Sequence, residues 1–388
     1  MKNQVSRLAL LLSIVTITTI SCDSPRKSKS IENANMSSDI QIAHPQTPTH
    51  YKIYLENSGS VKGYFKGTSD AKVILTQLTD RLEENFIEGD TISYNFISNE
   101  IQLYTKSRDN FLQEAYNRCN AAFSELDKNL NMVIENLDEN SVGFLISDYC
   151  FDSRDGNWAT AQSGITKLFT RRLNENPNLT IAILKYNVNF DGRYFPGGIR
   201  CQKMLPIYVW AFGSSESIKR IVNLKVDNDG ILVFQSFYNL RPKLTYVSDK
   251  PAKGRFIENE AVIVKEWKKN RKGFYSLKFE INTNPLALSE ILLKNISTYN
   301  ITDRYQIEEI NYKNGICNMV ISTEKPSPGT IEIDYPYHLP QWIENSNFEE
   351  SGLPDDGTTL GFKYLVQGVF DAYNNKYENY FSTSITLK

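Results

Sequence analysis

Residues 51–64 read YKIYLENSGSVKGY. The run YKIYLE has the composition of a short buried strand, and it stops abruptly on Glu56-Asn57-Ser58-Gly59-Ser60. A tight turn of polar residues explains such a stop. So do three oxygen-bearing side chains, Glu56, Ser58 and Ser60, directed at one small object. What surrounds this turn in sequence sets the fold around it.

Downstream, Ile74, Leu78, Leu82 and Phe86 recur every four residues, which predicts one helix over Asp70 to Ile87. DTISYNFIS then alternates Ile92, Tyr94 and Phe96 against polar residues, a half-buried strand, with EIQLYT as its hairpin partner. A helix beginning near Phe123 places Leu126, Leu130, Val133 and Leu137 inward. SVGFLISDY is a continuous apolar run ending in Ser147-Asp148, the pattern of a central parallel strand. Trp158, Ala161, Ile165 and Leu168 mark another helix, LTIAILKY and PIYVWAFG two more buried strands, and Ser214 to Ile221 a short closing helix. Alternation of this kind predicts an α/β domain over residues 51–223, with a doubly wound, mainly parallel sheet.

In such sheets ligands gather beyond the carboxyl ends of the strands, where the first run ends at Glu56 to Ser60 and another at Ser147-Asp148. LENSGSV followed by FLISDY resembles the von Willebrand factor A domain, whose first strand ends in Asp-x-Ser-x-Ser and whose fourth ends in Thr-Asp or a variant. The resemblance spans about residues 51–223 and implies a metal-ion-dependent adhesion site. It assigns Ser58, Ser60 and Asp148 as metal ligands, Ser124 in AAFSELDKNL as the hydroxyl of the middle loop, and Glu56 where the family has Asp. The implied cofactor is Mg²⁺, with Mn²⁺ or Ca²⁺ as alternatives, because a hard cation prefers oxygen ligands. The implied partner is a protein or glycan. The same serines also fit a vestigial turn, capping backbone groups with no metal.

Composition narrows the remaining choices. Lys+Arg of 43 against Asp+Glu of 45 leaves a net charge of -2, and no basic-aromatic stripe is present, so nucleic acid is not an expected partner. Only three histidines occur, His44, His50 and His338, which disfavours zinc and histidine-based catalysis. Residues 1–22 carry Lys2 and Arg7 before the apolar LALLLSIVTITTI and end at Ser21-Cys22. That order resembles the leader of bacterial lipoproteins, with Cys22 as the acylated residue; an ordinary secretory signal is the other reading. Both export the chain, and the first tethers it to a membrane of the cell envelope. Residues 23–50 are polar and aperiodic, as expected of a flexible stalk. Cys119, Cys150, Cys201 and Cys317 match no metal motif, and pairing or burial as thiols are both open.

After residue 223 the rhythm becomes strand-only. ILVFQSFY, KLTYVSD, AVIVKEW, GFYSLKFEI, YQIEEINY, CNMVIST, TIEIDYPY and YFSTSITLK predict a β-sandwich over residues 224–388, interrupted by one late helix at LGFKYLVQGVFDAY. Between the last two strands of the first half, NVNFDGRYFPGGIRCQKML is Gly-rich and aromatic, either a surface hairpin or a partner-contacting loop. Asp334 and His338 are the one apparent hydrolase pair here, and a lone histidine is more often structural. Two functions therefore stand: a lipid-anchored binding protein, and an exported hydrolase with a serine nucleophile in the 58–60 turn. The second lacks an evident base, since His50 lies a strand's length away and Lys62 resembles any surface lysine.

Overall fold

A computed structural model describes residues 48–387, apart from 123, 154–155, 196, 225, 246–253, 258–259, 265–268, 270–272 and 351. The leader with Cys22, and the stalk through residue 47, lie outside the described residues. The described residues begin slightly before the expected end of the stalk. Thr49 is buried, its N–H donates to Asp90 Oδ1 at 2.6 Å, and His50 opens the first strand.

The seven strands of the central sheet are β1 (His50–Glu56), β2 (Thr91–Ile97), β3 (Ile101–Tyr104), β4 (Ser141–Ser147), β5 (Thr180–Tyr194), β6 (Ile199–Gly213) and β7 (Gly230–Phe234). They run in the order β3-β2-β1-β4-β6-β5-β7. β2, β1 and β4 are parallel neighbours, and β5 points the same way, while β3, β6 and β7 run against them. The fold is thus α/β around a mixed sheet. Every residue of β4 is buried, because β1 and β6 flank it and helices cover its faces, which explains its unbroken apolar sequence.

The helices are α1 (Asp70–Glu84), α2 (Arg108–Arg118), α3 (Leu126–Glu135), α4 (Trp158–Glu175) and α5 (Ser215–Val222). α1 buries Leu75, Leu78 and Leu82, and the Ser69 side chain caps it by accepting from Lys72 N–H. α2 was not anticipated from the sequence. Its apolar face is short, only Phe111, Leu112 and Ala115 being buried, and Ser107 caps it.

The largest departure from expectation concerns β5 and β6. They are not two parallel strands, and the insertion between them takes the hairpin form that was one of its two expected readings. They form one antiparallel hairpin, paired residue for residue from Thr180↔Gly213 to Tyr194↔Ile199, and the Gly-rich insertion is its outer end. β6 lies between β4 and β5. Tyr208 is level with Ser147, the last residue of β4, so the stretch 199–207 carries the hairpin well past the carboxyl edge of the parallel strands.

The expected boundary at 223/224 is not a boundary in the packing. β7 pairs with β5 at the sheet edge, the late helix (Phe362–Tyr377) packs along α4, and the described residues form one compact unit. All eight expected C-terminal runs contain strands; the first of them, ILVFQSFY, supplies β7. The others contribute to a six-stranded and a four-stranded sheet. Inward residues of the strands Tyr275–Asn282 (Leu277, Phe279, Ile281) and Ile316–Thr323 (Cys317, Met319, Ile321) are buried, as are Ile331, Ile333, Phe381 and Ile385 of the six-stranded sheet. This alternation is what half-buried antiparallel strands require.

Candidate functional site

The site is assembled where β1 and β4 end. Leu55 pairs with Ile146 in parallel register, so Glu56 and Ser147 leave the sheet side by side. The Ser147 hydroxyl is fully buried and donates to Glu56 Oε2. Ser147 Oγ also accepts the Tyr149 N–H at 2.9 Å and lies 3.5 Å from Asp148 Oδ1. Asp148 Oδ1 accepts the Cys150 N–H at 3.1 Å, whereas Asp148 Oδ2 is buried and has no partner. Tyr149, between them, has a left-handed backbone (φ +51°), an uncommon and strained conformation for a bulky residue.

The 58–60 turn is brought in by main-chain bonds. Asn57 N–H donates to Ile97 O at 3.0 Å, Ala121 N–H to Asn57 O at 3.0 Å, and Gly59 N–H to Ala121 O at 3.1 Å. These bonds tie the turn to β2 on one side and to the loop before α3 on the other. Ser58 Oγ and Ser60 Oγ lie 2.9 Å apart, and Ser124 Oγ accepts from Asn129 Nδ2 at 2.8 Å. After Ser60 the chain makes a 3-10 turn, Val61–Phe65, pressed against β5: a Cβ on Gly192 would lie 2.7 Å from Gly63 Cα. Only glycine at both positions allows backbones that close.

The five residues singled out in the sequence, Glu56, Ser58, Ser60, Ser124 and Asp148, therefore meet at the carboxyl edge of the parallel strands. Burial, and secondly the charge of Asp148, push the Glu56 carboxyl up to about 7, while hydrogen bonds from Ser147, Ser124 and Ser58 pull the other way. The Asp148 carboxyl is likewise raised by burial, opposed by the Cys150 N–H and by the nearby hydroxyls of Ser60 and Ser147. Among the described residues no lysine or arginine forms an ion pair with either carboxylate. Burying two adjacent acids without a counter-charge is costly, and such groups are normally paired or bound to a metal.

Ser147 and Asn129 belong to this cluster and were passed over in the sequence. Ser147 had a signal, a hydroxyl as the last residue of an apolar strand level with Glu56. Asn129 had one too, since it lies on the apolar stripe of α3 between Leu126 and Val133 and is wholly buried. Beside the cluster, a cleft of about 360 Å³ opens between the loop after β4 and the first turns of α3 and α4, lined by Ser124, Glu125, Asp127, Cys150, Asp152 and Asn157 among others.

The loop after β4 is also held from the far end of the chain. Phe151 N–H donates to Leu360 O at 2.9 Å, and Leu360 N–H donates to the Tyr194 hydroxyl at 3.2 Å. The Cys150 thiol donates to Phe195 O at 3.1 Å, fixing the hairpin end to the same loop. Cys119, Cys150, Cys201 and Cys317 are all free thiols.

Among the described residues no imidazole approaches the serines. His50 hydrogen-bonds Thr91 Oγ1 at 2.8 Å at the opposite end of β1, and His338 packs against Tyr335 and Tyr380. Asp334 accepts from Ser382 and forms no pair with His338. Lys62 Nζ lies 4.8 Å over the Tyr116 ring. Chemically the cluster is a set of hard oxygen donors, two carboxylates and several hydroxyls. No group of three or more His, Cys, Asp or Glu residues suited to a metal occurs among the described residues, so any cation here depends on the serines. No protein-family model matches the chain, and no curated protein is detectably similar to it.

Proposed function

We propose that the chain is an exported, lipid-anchored binding protein whose α/β half is a von Willebrand factor A-like domain that grips a protein or glycan partner through a divalent cation. The observation that carries this reading is the pair of buried carboxylates, Glu56 and Asp148, surrounded by hydroxyls, with Asp148 Oδ2 unpartnered and no cationic side chain among the described residues paired to either. The strand order β3-β2-β1-β4, with β3 antiparallel to β2, supports it as well.

The donor set suits Mg²⁺, with Mn²⁺ or Ca²⁺ as substitutes. A bound cation supplies the positive charge that two buried acids lack and an open position for a partner's carboxylate. Asp148 offers its free oxygen, Ser58, Ser60 and Ser124 offer hydroxyls, and Glu56 offers charge while Ser147 fixes its orientation. The extra methylene of Glu56 relative to Asp lets it reach Ser147 from the strand end. Cys22 is the acylated anchor, and residues 23–47 the spacer to the cell-envelope membrane. A serine-nucleophile hydrolase is the weaker alternative, because among the described residues Ser58 and Ser60 have each other and two acids as neighbours and no histidine.

Thermal melting of the soluble chain from residue 46 onward tests the metal. Millimolar Mg²⁺ or Mn²⁺ should raise the midpoint relative to EDTA, since a ligand of the folded state alone stabilises it, and Asp148→Ala should abolish the shift. An unchanged wild-type midpoint would remove the cation and leave only the fold.

A further inference from the structure

We infer that the outer end of the β5–β6 hairpin is the specificity element of this site, and that its partner is a polypeptide segment carrying a carboxylate beside an apolar side chain. This rests on the cation-dependent reading for the carboxylate and on independent observations for the rest.

The hairpin end is built into the site's rim. A Cβ on Gly59, between Ser58 and Ser60, would lie 3.8 Å from Cε2 of Phe195, so this ring stands directly over the turn that carries both serines. The Cys150 thiol donates to Phe195 O, two residues beyond Asp148. Phe195 is thereby held between the two loops that supply the candidate ligands. Its ring is nevertheless 41 % exposed, and Ile199, across the turn, is 43 % exposed. Gly197 and Gly198 have positive φ (+104° and +61°), and a Cβ on either would touch Ile199 or Phe195 respectively at 3.6 Å. Scattered apolar residues on a surface need no account. Two of them flanking a tight turn, with one ring fixed over a polar site, form an apolar shelf next to the place where a partner's carboxylate would dock.

Charge points the same way without reference to any metal. Arg193 and Arg200 are directly opposite in the hairpin register, a like-charge pairing that destabilises a ladder. Asp191 meets Arg200 at 3.6 Å and also pairs with Lys66. Arg193 forms no ion pair among the described residues and is exposed. One carboxylate thus serves two cations while Arg193 stands unpaired among the described residues, leaving the hairpin end basic on a chain whose net charge is -2. An acidic partner relieves that repulsion, and an acidic polypeptide with a hydrophobic neighbour satisfies both faces. A polar glycan acid would leave Phe195 and Ile199 uncovered.

The test uses immobilised peptides Ac-Gly-Gly-Asp-Z-Gly-Gly-NH₂, with Z as Phe, Leu, Ser or Lys, and polygalacturonate as the glycan acid. Binding of the folded chain is read in Mg²⁺ and in EDTA. Phe and Leu at Z should improve binding on the order of tenfold over Ser, the discrimination available from one apolar contact. Phe195→Ser with Ile199→Ser should erase that preference while the Mg²⁺-induced rise in melting temperature persists, which shows that the fold and cation site survive. Arg193→Glu should weaken every acidic peptide. Equal binding of all four peptides, or polygalacturonate outcompeting them, would overturn the inference. Absence of any Mg²⁺ effect together with an apolar preference lost in the double variant would overturn the cation instead, and leave the hairpin assignment standing.

Discussion

Replacing Asp148 with Asn isolates the cost of the buried acid pair. Asparagine keeps an oxygen for the Cys150 N–H and removes the charge. In the metal-free protein the Glu56 carboxyl rises from 4.5 to about 7, with burial as the larger cause and Asp148 the second. At 1.36 kcal/mol per unit, ionising Glu56 in the folded state costs roughly 3 kcal/mol, with burial the larger contributor and Asp148 the second. The sign follows from proton binding. Between the unfolded and folded values the native state holds more protons, so stability falls as pH rises through that window. Wild type in EDTA should therefore lose stability from pH 5 to pH 8, and Asp148→Asn should lose less, melting higher than wild type at pH 8 and nearly level with it at pH 5. Added Mg²⁺ should reverse the order, stabilising wild type alone. Urea midpoints across pH in EDTA and in Mg²⁺ provide the assay. A flat wild-type profile, or an Asp148→Asn protein less stable than wild type at pH 8 in EDTA, would refute the account of two unneutralised buried carboxylates.

Ser147→Ala should cost about 2 kcal/mol, because the buried Tyr149 N–H then has no acceptor, and the urea midpoint should drop with the slope unchanged. Gly192→Ala should cost about 1–3 kcal/mol through backbone overlap with Gly63; a loss below 0.5 kcal/mol, as for about any neutral surface change, would show that the 3-10 turn yields freely. Cys22→Ala should move the protein from membrane to soluble fractions, and co-sedimentation equal to wild type would remove the lipid anchor.

How far the sequence carried depended on whether the signal was local. β1, β4 and the polar residues at their ends were legible because a buried strand shows as an apolar run and its exit as a sudden change of residue type. The pairing of β5 with β6 was not. Both strands look alike whether their neighbours are parallel or antiparallel, and nothing in LTIAILKY says that PIYVWAFG will lie between it and β4. β7 was assigned to the wrong half for the same reason, since ILVF packs equally well on either sheet. α2 was missed because three buried residues in eleven make a faint period. In the site, attention to the motif favoured Asp148 over Ser147, although the serine is the more deeply buried and touches Glu56 directly.

The bond between Phe151 and Leu360 sets the order in which this protein can become functional. The loop that carries Asp148 is secured by a residue more than two hundred positions later in the chain. As the polypeptide is synthesised, β1 to β4 can associate early, but this loop is not secured until nearly the whole sequence has followed. Contacts of such sequence separation close slowly. The site is therefore completed last, after nearly all of the chain has been made. A truncation that spares every proposed ligand and stops before residue 360 would yield a sheet with an unfinished site, and the first half could not be moved into another protein as a working module.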